Sequence, residues 1–311
     1  MIAAMIAMAA AAAVPMTAPG PKGPLEGTFI DAGKTAPVVI IIPGSGPTDR
    51  DGNNPLGVTA APYRLLAEAL ATKGVSTLRA DKRGMFGSKA AIPDANAVTI
   101  ADYATDAHQW ARVLRAKTGA KCVWLLGHSE GSLVALKAAQ QPDGLCGIVL
   151  ASAPGRKLGD VLREQLQSNP ANAPLLADAL PALASLEAGK RVDTSSMPAP
   201  LLKLFAPQVQ PFLMDLLKQD PTAEIAATSL PVLIVQGTKD LQVQPADAEA
   251  LHKAQPKSEL RLLPNMNHVL KDVAGDDRAA NLAAYADATV PVDAGLVDAI
   301  AAFVKAPAKS E

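Results

Sequence analysis

Short apolar runs recur along this chain and alternate with longer stretches in which apolar residues return every three or four positions. The short runs are rich in β-branched residues and predict buried strands, whereas the longer stretches predict amphipathic helices. Strands that alternate with helices are typical of a mostly parallel sheet with helices on both faces. We therefore predict an α/β fold. The predicted strands are residues 38–42, 75–79, 122–126, 148–151, 232–235 and 260–263.

One long segment, residues 155–229, interrupts this alternation. It contains Leu-rich amphipathic pieces separated by prolines, which predicts short helices joined by proline turns. An insertion in such a sheet is expected over the carboxyl ends of the strands, where these folds bind ligands. We therefore predict a helical lid at 155–229 on an α/β core formed by 22–154 and 230–311. A decorative surface insertion is the alternative.

The first 14 residues are apolar and Ala-rich, and the first charged residue is Lys22. The run is too short to span a membrane, and it resembles the apolar region of a secretory signal, although no basic residue precedes it. We predict that residues 1–21 are a signal or a disordered leader and that the protein is exported, periplasmic or secreted. A cytoplasmic protein with a disordered tail is the alternative.

The chain contains two cysteines, Cys122 and Cys146, each at the start of a predicted strand. Neighbouring strands lie about 4.8 Å apart, which is within the reach of a disulfide. A disulfide and two buried thiols are therefore both compatible with the sequence.

The composition limits the kinds of molecule that this chain is expected to bind. The 311 residues are 49% hydrophobic, which allows a large core, and 29 basic against 30 acidic residues give a net charge of −1. Without a basic patch, the chain has no feature that would attract a nucleic acid. No cluster of His, Cys, Asp or Glu has the spacing of metal ligands, so we predict neither a metal nor another cofactor.

A strand, a tight turn and a helix surround the pentapeptide Gly127-His128-Ser129-Glu130-Gly131. In that context G-x-S-x-G predicts a nucleophile elbow, which raises the serine hydroxyl above the sheet. The hydroxyl requires a base, and the base requires an acid that orients it. The alternative is a glycine-rich turn with an idle serine.

Only four histidines are available as the base. His128 adjoins the serine and is expected to point away from it, while His108 and His252 lie in predicted helices. His268 follows the last predicted strand, so we predict that it is the base. The chain order Ser…Asp…His then favours Asp240, which comes after the strand 232–235, as the acid.

Two backbone N–H groups are expected to hold the oxyanion of the reaction. One belongs to Glu130, directly after the nucleophile, and the other to Ser45 in the glycine-rich loop after the first buried strand. Arg50 is predicted to lock this loop by pairing with Asp49 and Asp51. Arg83 is predicted to pair with the same carboxylates or with Glu130, and a solvated turn is the alternative.

Together these segments resemble the α/β-hydrolase superfamily, and in particular a bacterial serine carboxylesterase subgroup with a GSGPTDRDG oxyanion loop. The resemblance covers about residues 37–304 apart from the lid, and the oxyanion loop departs from the common His-Gly start because Pro43-Gly44 stands there. It implies hydrolysis of small carboxylic esters, often with short acyl chains, without a cofactor. The matching segments are 44–52, 127–131, 236–243 and 267–271.

Peptidases and thioesterases use the same catalytic groups, and the sequence does not display the leaving-group contacts that separate them. A non-catalytic binding module could also keep this fold. These alternatives stay open at this point.

Overall fold

The computed structural model describes residues 12–306. Eight strands form one sheet in the order β1-β2-β4-β3-β5-β6-β7-β8. They are β1 (Ala13–Pro19), β2 (Pro24–Ile30), β3 (Val38–Ile42), β4 (Ser76–Ala80), β5 (Val123–His128), β6 (Leu145–Ala151), β7 (Val232–Gly237) and β8 (Glu259–Leu263). The strands from β3 to β8 are mutually parallel, while β1 and β2 pair antiparallel at one edge. The prediction of a mostly parallel α/β sheet is confirmed.

Helices pack on both faces of this sheet. They are α1 (Pro62–Thr72), α2 (Ile100–Thr118), α3 (Glu130–Ala139), α4 (Leu158–Ser168), α5 (Leu176–Glu187), α6 (Ala199–Phe205), α7 (Gln210–Leu217), α8 (Pro221–Ala227), α9 (Pro245–Ala254), α10 (Arg278–Ala283) and α11 (Ala294–Lys305). None of the helices in this part of the chain is long and apolar enough to cross a membrane.

Alternate residues of each central strand face two separate cores. Ile40 and Leu125 pack in the core that α2, α3 and α9 cover, whereas Ile41 and Leu126 pack in the one beneath α1 and α11. Side chains alternate in this way because successive residues of a strand point to opposite faces. A strand buried on both faces is mostly apolar, which is why the short runs were recognisable in the sequence, although β4 also buries Ser76, Thr77 and Arg79.

The N-terminal edge differs from the prediction. Residues 1–11 of the predicted leader lie outside the described residues, but Ala13–Pro19 form β1 and pair with β2 over seven positions. Disorder is therefore wrong for this part of the leader. An edge strand tolerates Pro15 because an N–H that faces solvent is not needed for pairing. The sequence prediction also missed β2, in which Gly27 interrupts the strand pattern.

Between β6 and β7 the chain forms the helices α4 to α8, which we call the helical insert. The insert has a small core of its own around Leu183 and Phe205. It is joined to the rest of the protein by Leu216 and Ile225, which pack in the core that α2, α3 and α9 cover, and by polar contacts at its first and fourth helices. Gln165 Nε2 donates to the carbonyl oxygen of Gln242 at 2.8 Å, and the Asp215 carboxylate accepts from the N–H of Ile100 at 2.8 Å.

A disulfide joins Cys122, just before β5, to Cys146 in the neighbouring β6. The two Cα atoms lie 5.2 Å apart, within the range that a disulfide requires. Of the two arrangements that the sequence left open, the structure contains the bridge.

Removing the bridge is expected to destabilise the fold. The bridge closes a loop between cysteines 24 positions apart, and this closure constrains the unfolded chain. The double variant Cys122→Ala/Cys146→Ala should therefore lower the free energy of unfolding by about 3 kcal/mol. Urea denaturation of both proteins, with and without reductant, measures the difference. The double variant should not respond to reductant. Two free thiols in the oxidised, denatured wild-type protein would contradict the bridge.

Candidate active site

Ser129 occupies the sharp turn between β5 and α3, with φ 53° and ψ −122°. This backbone conformation is costly for a residue with a side chain and persists only where the surrounding structure imposes it. The two flanking glycines make the turn feasible. A Cβ on Gly127 would lie 2.2 Å from the carbonyl oxygen of Gly131, and one on Gly131 would lie 2.3 Å from that of Ile42. The predicted elbow is therefore present.

His268 and Asp240 meet in the loops after β8 and β7. His268 Nδ1 donates to Asp240 Oδ2 at 2.8 Å, and both side chains are buried. Because Nδ1 carries the proton that is donated to the carboxylate, the neutral ring keeps Nε2 free to act as a base. The structure thus brings together the predicted base and the predicted acid.

The Asp240 carboxylate is fully satisfied by donors. Its Oδ1 accepts from the N–H groups of Gln242 and Val243 at 2.8 and 2.9 Å, and Oδ2 also accepts from Gln236 Nε2 at 3.2 Å. Burial raises the pKa of Asp240, but the charge of His268 and these hydrogen bonds outweigh burial and hold the pKa below its usual value. Asp240 is therefore ionised at neutral pH and orients His268.

The loop that carries His268 is rigidly tied to the loop of Asp240. An antiparallel bridge between Met266 and Asp272 closes the His268 loop. Asn267 Nδ2 donates to Asn281 Oδ1 at 3.1 Å, and Asn281 Nδ2 donates to the carbonyl oxygen of Lys239 at 2.7 Å. This chain of amides connects the loop of the base to the loop of the acid.

Ser129 and His268 share one edge of the sheet without a mutual hydrogen bond among residues 12–306. The two are linked through His128, the neighbour of Ser129. Its ring centroid lies 4.9 Å from that of His268, and its Nε2 donates to the carbonyl oxygen of His268 at 2.7 Å. Catalytic hydrogen bonds are often long before substrate binds and shorten in the complex, so this arrangement is compatible with a serine–histidine pair.

The sequence prediction gave His128 no role at this edge of the sheet. Its side chain was expected to point away from that of Ser129, and in the structure it lies in a buried chain of hydrogen bonds. The N–H of Gly44 donates to Tyr63 Oη at 3.0 Å, and Tyr63 Oη in turn donates to His128 Nδ1 at 2.8 Å. The chain continues through Nε2 to the His268 backbone and thereby connects the oxyanion loop, the elbow and the base. Its partners lie 65 and 140 positions away, so no local sequence signal reveals them.

Of the two predicted oxyanion donors, Glu130 lies in the elbow and Ser45 lies in the loop after β3. Glu130 is the first residue of α3, where backbone N–H groups have no acceptor within the helix and the helix dipole favours negative charge. The loop after β3 packs directly on the elbow, because a Cβ on Gly44 would lie 3.3 Å from Ser129 Cβ. Ser45, the next residue, is exposed at this position.

Arg50 locks the oxyanion loop, but with partners other than those predicted. Its guanidinium pairs with Asp81 at 2.5 Å and with Glu26 at 3.3 Å, rather than with Asp49 or Asp51. The two acidic residues next to Arg50 in the sequence have other partners. The Asp49 carboxylate accepts from backbone N–H groups of its own loop, and Asp51 pairs with Arg79.

Arg83 does not reach the oxyanion loop or Glu130, and the prediction of those pairs is wrong. Its guanidinium binds Asp106 at 2.7 Å and Asp102 at 3.0 Å, both on α2. The two carboxylates are one helical turn apart and match the fork of the guanidinium. Glu130 instead faces Lys82, whose Nζ lies 3.5 Å from Glu130 Oε1.

The fold and this arrangement define an α/β-hydrolase. Residues 56–271 match the family described as serine aminopeptidase, S33, and the chain belongs to that family. Among the described residues, no group of three or more His, Cys, Asp or Glu side chains is arranged to hold a metal ion.

Several known proteins are similar to this chain. The esterase EstD of Thermotoga maritima is 27% identical over 250 residues, which are 78% of this chain and 56% of that protein. The chain therefore spans little more than half the length of this relative. The esterase EaEST from Exiguobacterium antarcticum has a TM-score of 0.57 at 16% identity, covering 94% of this chain and 99% of that one. Est1E from Butyrivibrio proteoclasticus has a TM-score of 0.54 at 16% identity, covering 92% of this chain and 99% of that one. These solved structures show a shared fold.

The buried position of His128 predicts an unusual titration. Burial, reinforced by the charge of His268, lowers the pKa of His128 to about 3 from 6.5. The imidazole should therefore stay neutral in an NMR titration from pH 8 to about pH 4. Because His128 of the unfolded chain binds a proton near pH 6.5, its contribution to stability is complete above that pH and falls as the pH drops toward 3. A His128 signal that titrates near pH 6.5 in the folded protein would contradict the hydrogen-bond chain.

Proposed function

We propose that the protein is a serine carboxylesterase that hydrolyses small carboxylic esters with short acyl chains and needs no cofactor. Ser129 is the nucleophile, His268 the general base and Asp240 the residue that orients it. The observation that carries the proposal is the buried hydrogen bond between His268 and Asp240, at the same edge of the sheet as the strained elbow of Ser129. The likeness to an esterase that covers 78% of this chain supports the same activity.

In the first half of the reaction, His268 Nε2 accepts the proton of Ser129 Oγ as this oxygen attacks the acyl carbon of the ester. The negative charge that develops on the carbonyl oxygen is held by the N–H groups of Glu130 and Ser45. The tetrahedral intermediate then releases the alcohol, which takes the proton from His268. An acyl group remains on Ser129.

In the second half, water replaces the alcohol. His268 accepts a proton from the water, which attacks the acyl carbon and forms a second tetrahedral intermediate. Its collapse frees the carboxylic acid and returns the proton to Ser129. Asp240 stays ionised throughout and stabilises the imidazolium that forms twice in each cycle.

The helical insert is proposed to act as a lid. Two contacts support this role, because α4 donates to the backbone of Gln242, two residues after Asp240, and the Phe212 ring of α7 packs edge-on against Tyr103. Phe212→Ala should therefore change the ratio of kcat/KM between acetate and hexanoate esters. An unchanged ratio in a folded variant would argue for a surface insertion instead.

Export is proposed as well, and the disulfide between Cys122 and Cys146 supports it because such bonds persist in oxidising compartments. Cleavage near Ala11-Ala12-Ala13 would preserve most of β1, whereas cleavage after Ala18 would remove it. N-terminal sequencing of the protein from its native host distinguishes the two sites. A mature chain that begins at Met1 would contradict export.

Replacing the nucleophile provides the direct test of the proposed chemistry. Ser129→Ala should lower kcat on p-nitrophenyl acetate by a factor on the order of 10⁶, because the attacking oxygen is lost. Asp240→Asn should lower kcat by about 10⁴-fold, because the amide stabilises the wrong tautomer of His268. Ser258→Ala, which changes a buried serine just before β8, at the opposite end of that strand from the His268 loop, serves as the matched control. Near-normal turnover in Ser129→Ala would exclude the mechanism.

A panel of p-nitrophenyl esters of graded chain length, thioesters and aminoacyl anilides separates the remaining functions. The proposal expects the highest kcat/KM on short-chain esters. Preference for anilides would indicate a peptidase, and preference for thioesters a thioesterase. Failure of a fluorophosphonate probe to label Ser129 would indicate a binding module.

A further inference from the structure

Both backbone polar groups of Gly44 are held by buried side chains. Its N–H donates to Tyr63 Oη at 3.0 Å, and its carbonyl oxygen accepts from Lys82 Nζ at 2.8 Å. The carbonyl of Gly44 and the N–H of Ser45 belong to the same planar peptide unit and point in opposite directions. A donor that fixes this carbonyl therefore also fixes the direction of the Ser45 N–H.

Lys82 lies in the loop after β4, next to the loop that carries Gly44. Its side chain is only 6% exposed. Its ammonium group lies 5.8 Å from the centre of the Tyr103 ring, which favours a cation there. Glu130 Oε1, at 3.5 Å, supplies the opposite charge, and the Glu130 side chain is only 4% exposed. Burial of a charge costs free energy, which the partners of the ammonium group must offset.

Burial lowers the pKa of Lys82, and the charge of Glu130 acts against this effect. The ammonium group also donates to the carbonyl oxygen of Gly44. The ammonium group thus contacts the peptide before Ser45 and the side chain of Glu130, the two residues whose N–H groups are proposed to hold the oxyanion.

We propose that Lys82 is a positioning residue of the oxyanion hole, which aims the Ser45 N–H at the substrate oxygen and keeps the Ser45 loop in register with Glu130. This inference rests on the proposed esterase function. Lys82 does not touch the substrate in this account. It acts through the peptide unit that it holds, so its effect should appear in the transition state more than in substrate binding.

Lys82→Met tests the inference, because methionine has a similar length and no donor. We expect kcat/KM on p-nitrophenyl acetate to fall about tenfold to a hundredfold with little change in KM, since small misplacements of a catalytic group cost that much. The affinity for a trifluoromethyl ketone, which forms a tetrahedral adduct with the serine, should fall by the same factor. The acid limb of the pH–rate profile should not move, because His268 and Asp240 are unchanged.

Lys82→Arg is the conservative counterpart. Arginine keeps a charged donor, and a cavity of about 40 Å³ that Lys82 and Tyr103 help to line gives it some room. This variant should retain more activity and more analogue affinity than Lys82→Met. Equal losses in both variants would contradict the role of the donor.

Lys82→Met also leaves the buried Glu130 carboxylate without its partner, which could destabilise the fold by itself. The double variant Lys82→Met/Glu130→Met removes both charges, and exchange of a buried ion pair for apolar side chains often restores stability. We expect its Tm to return toward the wild-type value while kcat/KM and analogue affinity stay low. Recovery of activity together with Tm would assign Lys82 a purely structural role.

The outcomes for the two proposals differ. A wild-type protein that neither hydrolyses esters nor reacts with a fluorophosphonate at Ser129 contradicts the proposed function, and this inference with it. An active wild-type protein whose Lys82→Met variant keeps its kcat/KM and analogue affinity contradicts this inference alone.

Discussion

A carboxylate buried at the edge of a sheet stays ionised only if nearby donors replace the water that it has lost. Asp240 meets this requirement with four donors, which are two backbone N–H groups, the amide of Gln236 and the ring of His268. The last of these bonds has a consequence for the ring. Because His268 Nδ1 donates to the carboxylate, Nε2 of the neutral ring is free to act as a base. One hydrogen bond therefore both stabilises the buried charge of Asp240 and prepares His268 to accept a proton.

The parallel sheet makes this meeting feasible. Strands that run in the same direction end at the same edge, and the loops after β3, β4, β5, β7 and β8 therefore converge there. These loops carry the Gly44 peptide, Lys82, Ser129, Asp240 and His268. Residues that lie far apart in the sequence become neighbours without long excursions of the chain. Buried hydrogen bonds among the loops then set the distances more finely than the sheet does.

The sequence predicted the features that have a local signature or a fixed order along the chain. Apolar runs predicted the strands from β3 to β8, because most residues of a strand covered on both faces are apolar. The elbow around Ser129 has a sequence signature, and the order of the chain selected Asp240 and His268, which the structure brings together. The strands β1 and β2 were missed because edge strands can contain the prolines and glycines that mark turns elsewhere.

Polar contacts between residues far apart in the sequence were also not predicted. Arg83 was assigned to nearby loop carboxylates, but two acids one turn apart on α2 offer its planar guanidinium a better match. His128 occupies an unspecified position of the G-x-S-x-G pentapeptide and Lys82 lies outside any motif, so their contacts with Tyr63, Gly44 and the His268 backbone were not predicted. Such contacts depend on how the loops pack in three dimensions, which hydrophobic periodicity does not encode.

The central claim is that Ser129 becomes acylated with the help of the oriented His268. Mass spectrometry of the protein quenched in acid during turnover of p-nitrophenyl acetate measures this directly. The account predicts one acetyl group, confined to the peptide that contains Ser129 and absent from the Ser129→Ala variant. Rapid ester hydrolysis with no acetyl group on that peptide, or with the group on another residue, would contradict it.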